Sequence, residues 1–176
     1  RDALKKLFRL LVPKKHLPYT EMVIDKAGER VGRWVLAQLA LALIIGVIVG
    51  VGLWLMGVKY ALALGILAGV MEIIPVIGPI IAAVPAVLVA FSQSWILGLV
   101  ALVFYIGVQQ AENHLLVPNI MKKALGLSPL VTLIAVLLGA RLAGVVGVIL
   151  AVPIATILAV VLASLLGSAA EKELAG

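Results

Sequence analysis

The 176-residue sequence contains no cysteine, so disulfide frameworks and thiolate metal sites are both excluded and the redox compartment stays open. Charge is nearly as scarce. Asp, Glu, Lys and Arg make up 12% of the residues against 64% apolar side chains, a balance too oily for a soluble domain of this length. Histidine is limited to His16 and His114. A serine protease inside a membrane needs a nucleophile with a base, and Ser92, Ser94, Ser128, Ser164 and Ser168 have only those two to draw on. Both aspartates, Asp2 and Asp25, precede the first long apolar run, which leaves no buried pair for aspartyl chemistry. No glycine loop ends in Lys followed by Ser or Thr, so a phosphate-binding loop is missing too. The chain does not read as an enzyme, and no cofactor or metal is implied.

What is present is a set of long uncharged runs: Trp34 to Val58, Ile73 to Ala111, Ala124 to Ala140 and Leu142 to Ala170. A bilayer core of about 30 Å needs roughly 20 helical residues, so the lipid bilayer is the expected solvent and the fold class is an all-α, polytopic membrane protein. A formal charge of +6 would suggest nucleic acid in a soluble protein. Here nine of the fourteen Lys and Arg fall in residues 1–33, against four acids, which marks that segment as cytoplasmic rather than as a nucleic-acid surface. No signal peptide is visible, and a chain beginning at Arg1 suggests a fragment of something longer. The organisation expected is an amphipathic interfacial segment over 1–33, a transmembrane domain over 34–170 and a polar tail over 171–176.

In the lead-in, Leu4, Leu7, Phe8 and Leu11 share one helical face opposite Lys5, Lys6 and Arg9, suited to a membrane surface or to another part of a longer parent. Pro13 and Pro18 interrupt it, Thr20 is a reasonable N-cap, and the next helix runs straight into the first span with Glu29 and Arg33 paired at i, i+4. Trp34 and Trp54 lie 20 residues apart, about 30 Å along a helix, so each reaches a different interface.

Beyond Lys59 the pattern changes. Tyr60 to Met71 and Ile80 to Phe91 are 12 residues each, about 18 Å, too short to cross. Between them MEIIPVIGPI places Glu72 beside Pro75, Gly78 and Pro79. Two half-helices meeting at an unwound tip are expected, because the prolines lack donors and the glycine opens forbidden dihedrals; one long helix with a proline kink is the alternative. Trp95 to Val117 reads as a full span stopped by Pro118. A second broken element follows, with Arg141, Gly144 and Gly147 ahead of an apolar run broken by Pro153. A shift of 69 residues lays the two elements over each other, matching Val76 with Val145, Gly78 with Gly147, Ile80 with Ile149 and Ala82 with Ala151, while Glu72 falls on Arg141. Counting crossings from a cytoplasmic residue 33 puts Lys122 and Lys123 inside, so the second re-entrant hairpin enters from the face opposite the first. Inverted repeats with discontinuous helices are how many secondary transporters build a substrate site near the midplane.

Three blocks, EIIPVIGPIIAAVPAVLVA (72–90), VQQAENHLLVPNIMKKALGLSPL (108–130) and GARLAGVVGVILAVP (139–153), resemble in order and spacing the autoinducer-2 exporter family, also called PerM-type permeases. The lead-in and the Gln38-bearing first helix fit as well, with Ala37 and Lys122 standing where glycine is expected. The resemblance covers nearly the whole chain and corresponds to the C-terminal half of such proteins. It implies an inner-membrane permease of a bacterium or archaeon, exporting a small polar signalling molecule used in quorum sensing in some members and exchanging Na+ for H+ in others. A homo-oligomer is expected.

Glu72 is the sharpest candidate for the pathway, since an ionisable group in a membrane segment costs a few kcal/mol and usually lines a route. It can take up and release a proton or meet a cation as a cavity opens; a structural ion pair or an interfacial carboxylate is the alternative. Arg141 is placed to pair with Glu72, to hold a solute through its planar donors, or to snorkel to the interface. Tyr105, Gln109, Glu112 and Asn113 form a polar stripe on the Trp95 helix, either lining the path or gluing helices together. Gln110 points elsewhere, and His114 has no partners at ligand spacing. Pro75, Gly78, Pro79, Gly144 and Gly147 shape the two tips and are expected to line the same substrate or ion pathway, with Pro75, Pro79, Pro118 and Pro153 as the helix breaks. Gly65, Gly69, Gly139 and Gly144 suit close packing. Two functions remain: a secondary transporter working by alternating access, or a membrane scaffold subunit whose polar tips serve packing alone.

Overall fold

The computed structural model describes residues 17–75, 77–120 and 129–174 of the chain, and side-chain surroundings within 21–75, 77–120 and 130–162. The amphipathic lead-in, Val76, and Lys122 with Lys123 lie outside the described residues. Helix α1 (Leu17–Leu55) is 39 residues long, about 58 Å. It begins three residues before Thr20 and passes residue 33 without interruption, so Pro18 sits in the first turn, where no donor is needed. Arg33 and Glu29 approach to 3.8 Å on its exposed side. A turn with left-handed Gly57 and Tyr60 then leads into α2 (Ala61–Met71), which runs back along α1.

Glycine sets how closely α1 and α2 approach. A Cβ on Gly65 would stand 2.8 Å from the Gly46 carbonyl oxygen, and one on Gly69 would stand 2.8 Å from that of Ala42. With Gly50 they form a backbone-on-backbone track, the small-residue packing that replaces hydrophobic driving force between helices in lipid. Leu41, Ile45, Val49 and Leu53 on α1, together with Leu64 and Ala68 on α2, fill the core beside it.

α2 ends at Glu72, and α3 (Ile77–Gln93) packs back against it. The expected first hairpin is therefore present, with arms of 11 and 17 residues. Pro75 has no N–H for the Met71 carbonyl, which instead accepts from Ile74 N–H at 2.9 Å, tightening the last turn until the chain reverses. Gly78 is required here because its Cα passes directly over the Met71 carbonyl. Pro79 breaks nothing: it is the third residue of α3, in the first turn. Pro85 also lies within α3.

Ser94 caps α4 (Trp95–Ala111), its Oγ accepting from the Leu97 N–H at 3.4 Å. A π-helical turn, Glu112–Leu116, continues it, and α-helical geometry resumes over 117–120. Pro118 thus lies inside the helix and does not stop it. It removes the donor for the His114 carbonyl, and the wide turn just before it absorbs the mismatch.

The last helical stretch, α5 (Pro129–Leu174), is long and apolar enough over Leu130–Leu162 to cross a membrane, as are Glu21–Leu55 and Trp95–Ile120. It is not one rod. Ala143 (φ −142°, ψ 21°) and Gly144 (φ 56°, ψ −135°) leave helical geometry, and Gly139 and Gly147 meet backbone to backbone, whereas residues eight apart in a straight helix are separated by about 12 Å. The second hairpin thus turns at Gly144. Pro153 lies inside its second arm without breaking it; one missing donor is tolerable in a membrane helix, while a reversal needs the positive φ that glycine supplies.

The hairpins meet, though not tip to tip. Ile74 of the first tip packs against the cluster that Trp34 forms with Val136, Val148, Ala151 and Val152, partway along the second hairpin's arms, whereas Leu142, Val145 and Val146 at the second tip are exposed. Trp34 is buried in this contact and does not face an interface, unlike the exposed Trp54. The first tip lies level with Gln38 of α1, about 12 Å past the middle of the uncharged 34–58 run and hence closer to the Trp34 end than to the midplane.

Two outcomes follow. Gly65→Val forces the backbone track apart and lowers stability by about 1–3 kcal/mol, read as a lower Tm in detergent, while Gly107→Ala, where an added Cβ meets nothing within 4 Å, leaves Tm unchanged. Single cysteines at Leu62 and Ser92, near the two roots of the first hairpin, react with an impermeant reagent from the same membrane face; labelling from opposite faces would make the pair a full crossing.

Candidate functional site

Polar side chains buried in an apolar bundle need partners or a purpose. Among the described residues Gln38, Glu72, Glu112 and Thr156 are the buried polar or charged side chains, and Tyr105 is buried with its hydroxyl. Thr156 is accounted for, since its hydroxyl donates to the Val152 carbonyl of its own helix at 2.8 Å. The other four converge. Gln38 projects from α1 and donates its Nε2–H to the backbone carbonyl of Glu72. The Glu72 side chain, 2% exposed, has one carboxylate oxygen, Oε2, with no hydrogen-bond partner, and it feels the charge of Glu112 across from it on α4. Gln109 Nε2 donates to Glu112 Oε2 at 3.4 Å, a long contact. Tyr105 Oη is buried and unpartnered as well.

A cavity of about 10 Å³ lies beside Tyr105, Gln109 and Glu112 of α4, closed by Ile45 and Val49 of α1 and by Ala68 and Pro79 of the hairpin. That is room for roughly one water-sized occupant. A larger open groove of about 270 Å³ runs beside Phe104 and Gly107, but its lining is apolar and carries no comparable chemistry.

Of the residues the sequence points to, Glu72, Gly78, Pro79, Tyr105, Gln109 and Glu112 are brought together, with Pro75 completing the tip. Asn113 is exposed: it lies 100° around the helix from Glu112, and the π turn places the inward position on Glu112. Gln110 is exposed. His114 is exposed too and donates Nδ1–H to the Gln110 carbonyl at 2.9 Å, and among the described residues no cluster of three or more His, Cys, Asp or Glu forms a metal site. Arg141 and Gly144 are exposed at the second tip, while Gly147 is buried against Gly139. No ion pair joins Arg141 to Glu72, since the open carboxylate oxygen faces an apolar bundle and Arg141 stands outside it. Gly65, Gly69 and Gly139 serve close packing as expected, whereas Gly144 serves the reversal and packs on nothing. Gln38 was visible as the one amide in the run from Trp34 to Val58, yet no spacing rule says what it bonds.

The described residues make an all-α, multi-pass membrane protein whose first hairpin breaks at a buried carboxylate. The comparison with known proteins gives the class its family: the family model described as AI-2E family transporter matches residues 1–167, and the chain belongs to that family. YrrI of Bacillus subtilis (strain 168), classed by name among transport proteins, is 36% identical over 147 residues, covering 84% of this chain and 42% of YrrI. YhhT of Escherichia coli (strain K12), named in the same way, is 33% identical over 127 residues, covering 71% of this chain and 36% of YhhT. The chain spans about two fifths of the length of these relatives.

Tyr105→Phe tests whether the phenol oxygen is held free for an occupant. With no partner to lose, the variant keeps or slightly raises its Tm; a drop equivalent to about 1–3 kcal/mol would reveal a structural hydrogen bond.

Proposed function

We propose that this chain forms the two-hairpin portion of a cation-coupled secondary transporter in a prokaryotic cytoplasmic membrane, with residues 1–33 on the cytoplasmic side. The observation that carries the reading is the pair Glu72 and Glu112, both buried, electrostatically in touch and without a salt-bridge partner among the described residues, with Glu112 lining a cavity the size of one water. Two carboxylates in a water-poor bundle need a positive charge from outside, a proton or a small bare cation. Glu72 sits on an unwound tip, a segment that can move without dismantling a helix. Binding on one side and release on the other then couples the cation to hairpin motion.

Membership of the AI-2E transporter family, with the resemblance to autoinducer-2 exporters, supports a small polar solute of the autoinducer-2 kind as cargo, moved outward. A second reading, exchange of Na+ for H+ with no organic cargo, is favoured by the cavity: one water-sized space does not hold a sugar-sized solute in this conformation. In both, Glu72 and Glu112 carry the ion and the second hairpin supplies the opposing gate.

The full-length parent in proteoliposomes decides between transport and scaffolding. An imposed pH gradient drives sodium or solute flux in the wild type, and Glu72→Gln, which keeps shape and loses the titratable charge, cuts it by at least about tenfold, equivalent to ~1.4 kcal/mol. Unchanged flux in a folded Glu72→Gln protein removes the carboxylate from the mechanism. A folded wild type that moves nothing assigns the scaffold role. Sodium movement without added solute selects exchange over export.

A further inference from the structure

At the first tip five backbone carbonyls are matched to local donors. Ala68, Val70, Met71, Ile74 and Pro75 accept from Glu72, Ile73, Ile74, Gly78 and Ile77 respectively. The Glu72 carbonyl takes a donor from outside the hairpin. Its donor comes from 34 residues away, the buried amide of Gln38. Elsewhere α1 and α2 touch through glycine backbone and apolar side chains, a surface that fixes distance without fixing register. Among the described residues the Gln38 amide is the side-chain hydrogen bond that ties α1 to the hairpin. It also stands one turn from Trp34, which packs on the second hairpin together with Ile74 of the first tip. A single turn of α1 therefore touches both hairpins.

We infer that Gln38 is a positioning residue for transport: its amide latches the Glu72 carbonyl and holds the first hairpin shut, so the tip opens toward the Trp34 side when that hydrogen bond breaks. The inference rests on the transport reading above, although its structural half stands alone. The latch acts on the backbone of Glu72, not on its carboxyl, so the same residue carries the cation and reports through its peptide on the state of the tip. An amide suits this role because it donates without a charge that would compete for the cation.

The test uses the full-length parent with cysteine reporters at Ile73, exposed at the tip, and at Leu62, exposed at the far end of α2. Gln38→Leu keeps bulk and removes the donor. Labelling at position 73 from the Trp34 side then accelerates about tenfold, the scale of one lost hydrogen bond, while position 62 is unaffected. Gln38→Glu gives a second readout, since only a protonated carboxyl can donate to the carbonyl. Flux relative to wild type at the same pH is preserved at low pH and declines as pH rises, with labelling at 73 moving the opposite way. The ionisable groups bearing on position 38 are Glu72 on the hairpin, Glu112 on α4 and the half-buried Arg30 and exposed Arg33 on α1; the facing part of the second hairpin is apolar. The wild-type background carries the same groups, so the ratio isolates position 38. Equal labelling at 73 in wild type and Gln38→Leu overturns the latch, as does acceleration at both 73 and 62, which means general loss of the fold, or a Gln38→Glu profile parallel to wild type. If the wild type carries no flux, the transport reading falls, and the two labelling arms still decide the latch.

Discussion

Backbone amides and carbonyls cannot be left bare in a medium without water, and this requirement governs where the chain can stop being helical. At the first tip the carbonyl that the ended helix abandons is covered by a side chain from another helix, and at the second the reversal is compressed into Ala143 and Gly144 so that little backbone is freed. Both tips rely on glycine to let one arm pass over the other's carbonyls, Gly78 over Met71 and Gly147 over Gly139. These two glycines are also the pair that the 69-residue shift aligns, and Ala82 and Ala151, aligned by the same shift, are both buried. The repeat is thus expressed in backbone packing more than in side-chain identity.

The polar site is a consequence of the same constraint. An unwound tip needs protein around it, so α1 and α4 must flank it, and their inward faces become the only places where polar groups can reach the freed segment. On α4 the inward positions are Tyr105, Gln109 and Glu112. The π turn that begins at Glu112 is a local cost, accepted because Pro118 leaves a carbonyl without its donor, and widening the helix there keeps Glu112 pointing into the bundle. A single carboxylate at the tip would be an oddity. A second, Glu112, in electrostatic reach of it and lining a space for one water, makes a site.

The sequence made the first hairpin legible because proline, glycine and a lone carboxylate cluster within ten residues, and the arms it suggested differ from the observed ones by no more than three residues at any end. The second hairpin was legible as a broken element but not in its break point, because proline is the louder signal and glycine the decisive one: Pro153 is carried inside a helix, while Gly144 alone adopts positive φ there. Tyr105, Gln109 and Glu112 follow from helical periodicity, and Asn113 fails by the width of one π turn. Trp34 read as an interfacial aromatic because a tryptophan next to arginine normally is one; its burial depends on a contact with residues more than a hundred positions away, which no local pattern encodes. Gln38 is the same case in reverse, conspicuous as an isolated amide yet silent about its partner.

The two helix-plus-hairpin segments are not in the same arrangement. Each consists of a spanning helix followed by a hairpin, α1 with the first and α4 with the second. The first hairpin lies along its own helix on the glycine track, whereas the second packs on α1 through Trp34 and leaves its tip, with Arg141, uncovered. On the proposed reading this asymmetry is what one state of an alternating-access cycle should look like, since two inverted units in identical states would open the site to both sides or to neither. On that reading the closed unit holds Glu72 and the latch, and the open unit holds Glu112 on α4 and Arg141 at its uncovered tip. Glu72 and Arg141, which the 69-residue shift aligns, are not paired here; on the proposed reading their separation follows from the two units being out of phase, and their approach would mark the state in which the second hairpin has closed.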